Sequence, residues 1–202
     1  MVIKMLKISD ISEGLTDIIK KEMKVDETKA EQIEYGIYLF ISETIKIAAV
    51  LILAAILDIF KYTVIAILVF GIHRGLIGGV HAKTHWGCFL SYNVIVFGTV
   101  FLSFHLNINK IIMALVLYPI CMLIAYLYAP ADILNKPVVS KKQRRYLRRG
   151  GFIFLTIVFT LAIFIPQPYS NILMIISIAV CIMMLPIIYK ITGNEYGRKE
   201  VV

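Results

Sequence analysis

From about residue 38 to residue 189 the chain is a succession of apolar runs, and no polar interval among them is long enough to fold by itself. That pattern excludes a soluble globular domain. Of the 202 residues 59% are hydrophobic, against roughly 45–50% apolar for soluble domains. The chain reads as one membrane-embedded domain, 1–202, with a cytoplasmic segment over 1–34 and a transmembrane core over 36–190. Runs at about 36–57, 62–80, 89–105, 111–129, 152–166 and 171–189 predict an all-α polytopic fold of six crossings. Several of them fall short of the ~20 residues a span usually needs.

Charge predicts the orientation. Residues 1–34 carry six Lys/Arg and residues 130–150 carry seven, whereas the connections near Lys61, Lys110 and 166–170 carry one, one and none. With six crossings every rich segment falls on one side, and the positive-inside pattern makes that side cytoplasmic, together with both termini and the loop at 81–88. The net charge of +8 sits at the margins of apolar runs, with no soluble module to present it to a nucleic-acid groove. Anionic lipid or an acidic substrate is the expected partner, and nucleic acid is not.

Ahead of the first span, Ile8, Ile11, Leu15, Ile18 and Ile19 recur at three and four, the period of an amphipathic helix. Such a helix lies in the headgroup plane or packs on the protein's own cytoplasmic face. Asp10, Glu13, Asp17 and Glu22 interrupt any signal-peptide core. The break at Val25-Asp26-Glu27-Thr28 offers Asp26 and Thr28 as caps for the next helix. Within the first span Glu43 and Lys46 share a face, either as a compensating pair or as a polar stripe toward substrate. Tyr128–Pro137 is bracketed by prolines and reads as a defined loop. The basic run of Lys141–Arg149 follows it as a cytoplasmic loop, where it sets orientation and suits an acidic peptide.

Chemistry concentrates between His73 and Cys88, where three histidines, a cysteine, two cations and four glycines interrupt the apolar pattern. Ionisable groups at membrane depth are costly and mark function. Helix 62–80 should end early or bend there, because irregular backbone is tolerated only inside protein or beside water. A thiol attacks as thiolate, and an adjacent imidazole can take its proton. His81 and Cys88 would stand ~10.5 Å apart along an unbroken helix, so the pair works only if the chain turns between them. Gly78, Gly79 and Gly87 supply places for a turn. A helix opening at Cys88 would further favour the thiolate. His85, three residues from Cys88, is a competing base. Arg74 suits a substrate carboxylate or an oxyanion, or else snorkels at the membrane face. Ser91 and Asn93 are candidate third members that equally suit capping or lining the next helix. His73, His81 and His85, spaced eight and four, match no usual zinc pattern, so no metal is expected. Cys121 and Cys181 sit mid-run and read as small hydrophobes.

Arg74, Gly78-Gly79, His81-Ala82, Trp86 and Cys88, followed by Tyr128-Ala129-Pro130-Ala131-Asp132, Asn135-Lys136-Pro137 and a basic run, resemble the accessory gene regulator protein B (AgrB) family of Gram-positive bacteria over nearly the whole chain. The resemblance implies a multi-pass cell-membrane cysteine endopeptidase that needs no cofactor and processes an AgrD-type propeptide in quorum sensing. It makes Cys88 the nucleophile and His81 its base. Arg74, Gly79, Lys141 and Lys142 become supporting or substrate-binding residues, and self-association into a homo-oligomer, such as a dimer, is expected. Cleavage would leave the N-terminal part of the propeptide as a thioester on Cys88, which an internal cysteine attacks to release a thiolactone. Two other classes compete with this reading. One is a transporter with His73, Arg74, Glu43 and Lys46 lining a polar path. The other is an S-acyltransferase, which a missing cysteine-rich zinc module disfavours.

Overall fold

The computed structural model describes residues 8–23, 26–80, 85–132, 138 and 140–195, and among them every regular element is a helix. The chain divides into two compact units, 1–56 and 57–202. Unit 1 holds α1 (Ile8–Met23) and α2 (Glu27–Ile56). The expected amphipathic helix is α1. Thr16 on it is buried while Leu15 and Ile18 are exposed.

Asp26 caps α2, its Oδ1 accepting from the Lys29 amide at 2.8 Å, which satisfies one of the unbonded first-turn amides. The 30 residues of α2 reach ~45 Å at 1.5 Å per residue, beyond the ~30 Å hydrocarbon core. Its first turns therefore extend past the apolar slab. Lys46 is buried and pairs with the half-exposed Glu43 at 2.5 Å, the compensating pair expected from their spacing.

Unit 2 holds α3 (Phe60–Ile77), α4 (His85–His105), α5 (Lys110–Tyr128), α6 (Lys141–Phe164), α7 (Tyr169–Ile182) and α8 (Pro186–Ile191). Its axis is α7. Ser170 to Ser177 are buried without interruption, as are Val180 and Cys181, and α3, α4, α5 and α6 all pack around it. A helix apolar on all sides needs such a jacket. The jacket helices turn Leu68, Ile72, Phe101, Leu115, Leu123 and Ile153 outward, a surface made for acyl chains.

Two expectations change. The sixth run is not one continuous helix: α7 has 14 residues, and Met183–Leu185 separates it from α8, which opens on Pro186. Pro186 cannot donate the amide that a continuing helix requires. Among the described residues five helices, α2 to α6, are thus long and apolar enough to cross a membrane. The basic run is likewise no loop. Ser140 caps α6 by accepting from the Gln143 amide, and Lys141–Arg149 forms its first turns, Lys and Arg being good helix formers.

Candidate active site

Glycine decides how the chain leaves α3. Gly78 has φ +79° and Gly79 φ +127°, a region that side chains with a Cβ rarely enter. The turned backbone then threads between two other segments. Ala131 N donates to Ile77 O at 2.8 Å, Gly79 N to Ala131 O at 2.9 Å, and Val80 N to Met183 O at 3.1 Å. A Cβ on Gly78 would overlap the Ala131 carbonyl, and one on Gly79 would touch Met183. Close approach therefore adds to the demand for glycine here.

Arg74, one turn earlier on α3, is directed into the same junction. Its Nη2 donates to the Val80 carbonyl at 2.5 Å and its Nη1 lies 3.5 Å from Met183 Sδ, while the guanidinium sits 5.6 Å from the Phe70 ring centroid. Both polar backbone groups of the buried Val80 are thereby satisfied, as burial demands. The structure gives Arg74 a main-chain carbonyl where sequence had offered a substrate carboxylate or an oxyanion.

The loop after α5 is defined, as expected, through Asp132, and all of Ala129–Asp132 is buried. Ile133–Pro137, including Asn135-Lys136-Pro137, lies outside the described residues. The Asp132 side chain is only 3% exposed and pairs with Arg144 of α6 at 2.6 Å. The same Oδ2 accepts from Val138 N at 2.9 Å, while Oδ1 has no partner among the described residues. Arg144 also donates to the Pro130 carbonyl at 3.4 Å. From α8, the Tyr189 hydroxyl donates to the carbonyls of Ala131 and Asp132 at 3.1 and 3.4 Å. Burial and the Asp132 carboxylate push that phenol up to about 12, against the pull of Arg74, so it remains a protonated donor at neutral pH.

The basic start of α6 splits into two roles. Arg144 and Arg148 turn inward, Arg148 donating to the Tyr126 carbonyl and covering the Tyr126 and Phe152 rings at 4.9 and 5.6 Å. Lys141, Lys142, Arg145 and Arg149 are exposed. Further along, Gly151 lets α6 lie against the end of α3, since a Cβ there would overlap the Ile77 side chain.

Cys88 is the fourth residue of α4, half-buried and in no disulfide. Helical geometry stops at Gly78, and α4 is described from His85 onward. His81 to Thr84 and the His85 side chain lie outside the described residues, and the choice of base with them. What is fixed is the chain on either side: the clamped Val80 before, the first turn of α4 after.

The remaining candidates settle elsewhere. His73 is fully buried, with Nε2 3.4 Å from Ser177 Oγ of α7 and its ring edge-on to Phe154, a core contact between α3 and α7. Asn93 donates to the Phe89 carbonyl of its own helix, and Ser91 is exposed. Cys121 and Cys181 are buried in the core. Among the described residues no three His, Cys, Asp or Glu side chains gather as metal ligands would. Sequence reasoning passed over Met183 and Tyr189, and took Arg144 only as one cation of the basic run. Pro186 was the available sign that the chain turns near Met183, whereas nothing in the sequence pointed to Tyr189.

The family model described as accessory gene regulator B matches residues 12–187 of this chain. The chain is similar to accessory gene regulator protein B of Staphylococcus aureus strain MRSA252, 29% identical over 175 residues that cover 85% of this chain and 91% of that one. Its counterpart in strain MW2 is 28% identical over 174 residues, with the same coverage. AgrB-like protein 2 of Clostridium perfringens strain 13 is 29% identical over 156 residues, 74% of this chain and 73% of that one. No solved structure matches.

Proposed function

This chain belongs to the accessory gene regulator B family, and from that premise we propose that it is a membrane cysteine endopeptidase that cleaves a quorum-sensing propeptide and cyclises it. The observation that carries the reading is the position of Cys88 as the fourth residue of α4, half-buried and in no disulfide.

In the proposed reaction His81 takes the thiol proton and the Cys88 sulfur attacks the carbonyl carbon of the scissile peptide bond. Collapse of the tetrahedral adduct breaks the C–N bond, and the imidazolium returns the proton to the departing amine. The N-terminal part of the propeptide remains on Cys88 as a thioester. A cysteine within that part then attacks the thioester carbonyl, forming the thiolactone and restoring the Cys88 thiol. This second step exchanges one thioester for another and is close to neutral. Water must lose the competition, which an internal thiol achieves with an effective molarity of about 10⁵ M or more, helped by limited water access. Forming the first thioester from an amide is uphill, and removal of the cleaved tail or of the ring draws it forward.

Substrate docking follows from charge. Lys141, Lys142, Arg145 and Arg149 are exposed on α6, at the end of unit 2 from which α4 starts. An acidic propeptide tail fits that patch, and an amphipathic leader fits the membrane surface. With this many cations the same end is read as cytoplasmic.

Replacing Cys88→Ala or His81→Ala is expected to abolish propeptide cleavage in proteoliposomes while the protein still inserts. Cleavage that persists without Cys88 ends the proposal, and cleavage that persists without His81 transfers the base role to His85.

A further inference from the structure

The bonds of Arg74 address a different question from substrate binding: what holds the residue before His81. Val80 is 4% exposed, its amide is fixed by the Met183 carbonyl at 3.1 Å, and its carbonyl receives the Arg74 guanidinium at 2.5 Å. That carbonyl belongs to the planar peptide bond that joins Val80 to His81. Arg74 is itself steadied by Phe70 and Met183, and the carbonyl of its own residue accepts from the Gly78 amide at 3.0 Å. A planar guanidinium with several donors in a rigid fork suits such a fixed contact better than a lysine.

We propose that Arg74 is a positioning residue: by fixing the Val80 carbonyl it supports the base role of His81, the next residue, and it does not bind substrate. The inference rests on the cysteine-peptidase reading above. Without Arg74, Val80 O would be a buried acceptor with no charged donor, and the peptide would be free to rotate. Arg74 then contributes to the chemical step and to the reactivity of the thiol before any substrate arrives.

The test uses the full-length protein in liposomes and two readouts. In the first, the alkylation rate of Cys88 by iodoacetamide is followed against pH without substrate, with the adduct located by mass spectrometry. Wild type should react at low pH in a manner that His81→Ala removes, and Arg74→Ala should shift the profile most of the way to that of His81→Ala. Arg74→Lys, which keeps one donor, should fall between. In the second, propeptide cleavage by Arg74→Ala should lose 10-fold or more in kcat with KM within 2-fold of wild type. Thermal unfolding in detergent selects the variants that fold. If Arg74→Ala fails to fold, Arg74→Lys and Arg74→Gln carry the same two readouts. A wild-type alkylation profile in the Arg74 variants, with cleavage lost through a raised KM, overturns the positioning role and makes Arg74 a substrate anchor, leaving the peptidase reading intact. An alkylation profile that His81→Ala leaves unchanged, with cleavage that survives Cys88→Ala, overturns the underlying reading itself.

Discussion

The two ends of unit 2 are closed by different means. At the end away from Cys88, side chains reach across to carbonyls left by ordinary helix termini. Asn171 donates to the carbonyls of Ser103 and Leu106 at 3.0 and 2.9 Å, Ser170 to Ala162 at 2.7 Å, Gln167 to Ile108 at 2.8 Å and Lys110 to Ile165 at 3.1 Å. Tyr62 packs between Phe104 and Tyr169. At the other end, main chain meets main chain: Ile77–Val80 lies between Ala131 and Met183, with Arg74, Arg144 and Tyr189 filling in around it. The first arrangement holds helices together. The second also fixes the backbone as far as Val80, the residue before His81.

That contrast is broken most strongly at Asp132. Asp132→Ala leaves Arg144 without its carboxylate and is expected to cost about 3 kcal/mol, the lower part of the range for a broken buried pair because Arg144 is 23% exposed. Adding Arg144→Met should recover part of the loss in detergent unfolding, since an apolar pair of similar volume tolerates burial. Activity should fall beyond what the lost stability explains, because Ala131 would no longer hold Gly79 in register.

A smaller effect is expected where α6 meets α3. Gly151→Val places methyl groups where the Ile77 side chain lies and should cost about 1–3 kcal/mol. Ile77→Ala in the same chain should restore some of it, which a double-mutant cycle measures. The smallest change belongs to the far end. Asn171→Ala strips two buried carbonyls of their donor and should cost about 1–2 kcal/mol, with cleavage per folded molecule unchanged. A loss of turnover there equal to that at Asp132 would erase the distinction between the ends.

Much of this was legible in the sequence, and the exceptions have physical causes. Five apolar runs announced α2 to α6, and Gly78-Gly79 announced the end of α3, because hydropathy and glycine are local signals. The break after α7 was missed although Pro186 marked it, since Cys181–Leu185 is as apolar as the run before it. The basic run looked like a loop because charge masks helix propensity in a hydropathy reading. Asp132 with Arg144, and Arg74 with Val80 and Met183, depend on which chain segments meet at one end of a bundle. Separations of 12 and 109 residues carry no periodic trace. The unpartnered Oδ1 of Asp132 belongs to the same class of contacts decided in three dimensions.

The central claim is that Cys88 carries the acyl group. Propeptide mixed with the protein in liposomes, quenched in acid and digested for mass spectrometry, should show residue 88 bearing the N-terminal part of the propeptide through a bond that neutral hydroxylamine cleaves. Replacing the internal cysteine of the propeptide with alanine should make that adduct accumulate. Propeptide cleaved at full rate with no adduct on residue 88 at any time would contradict the account.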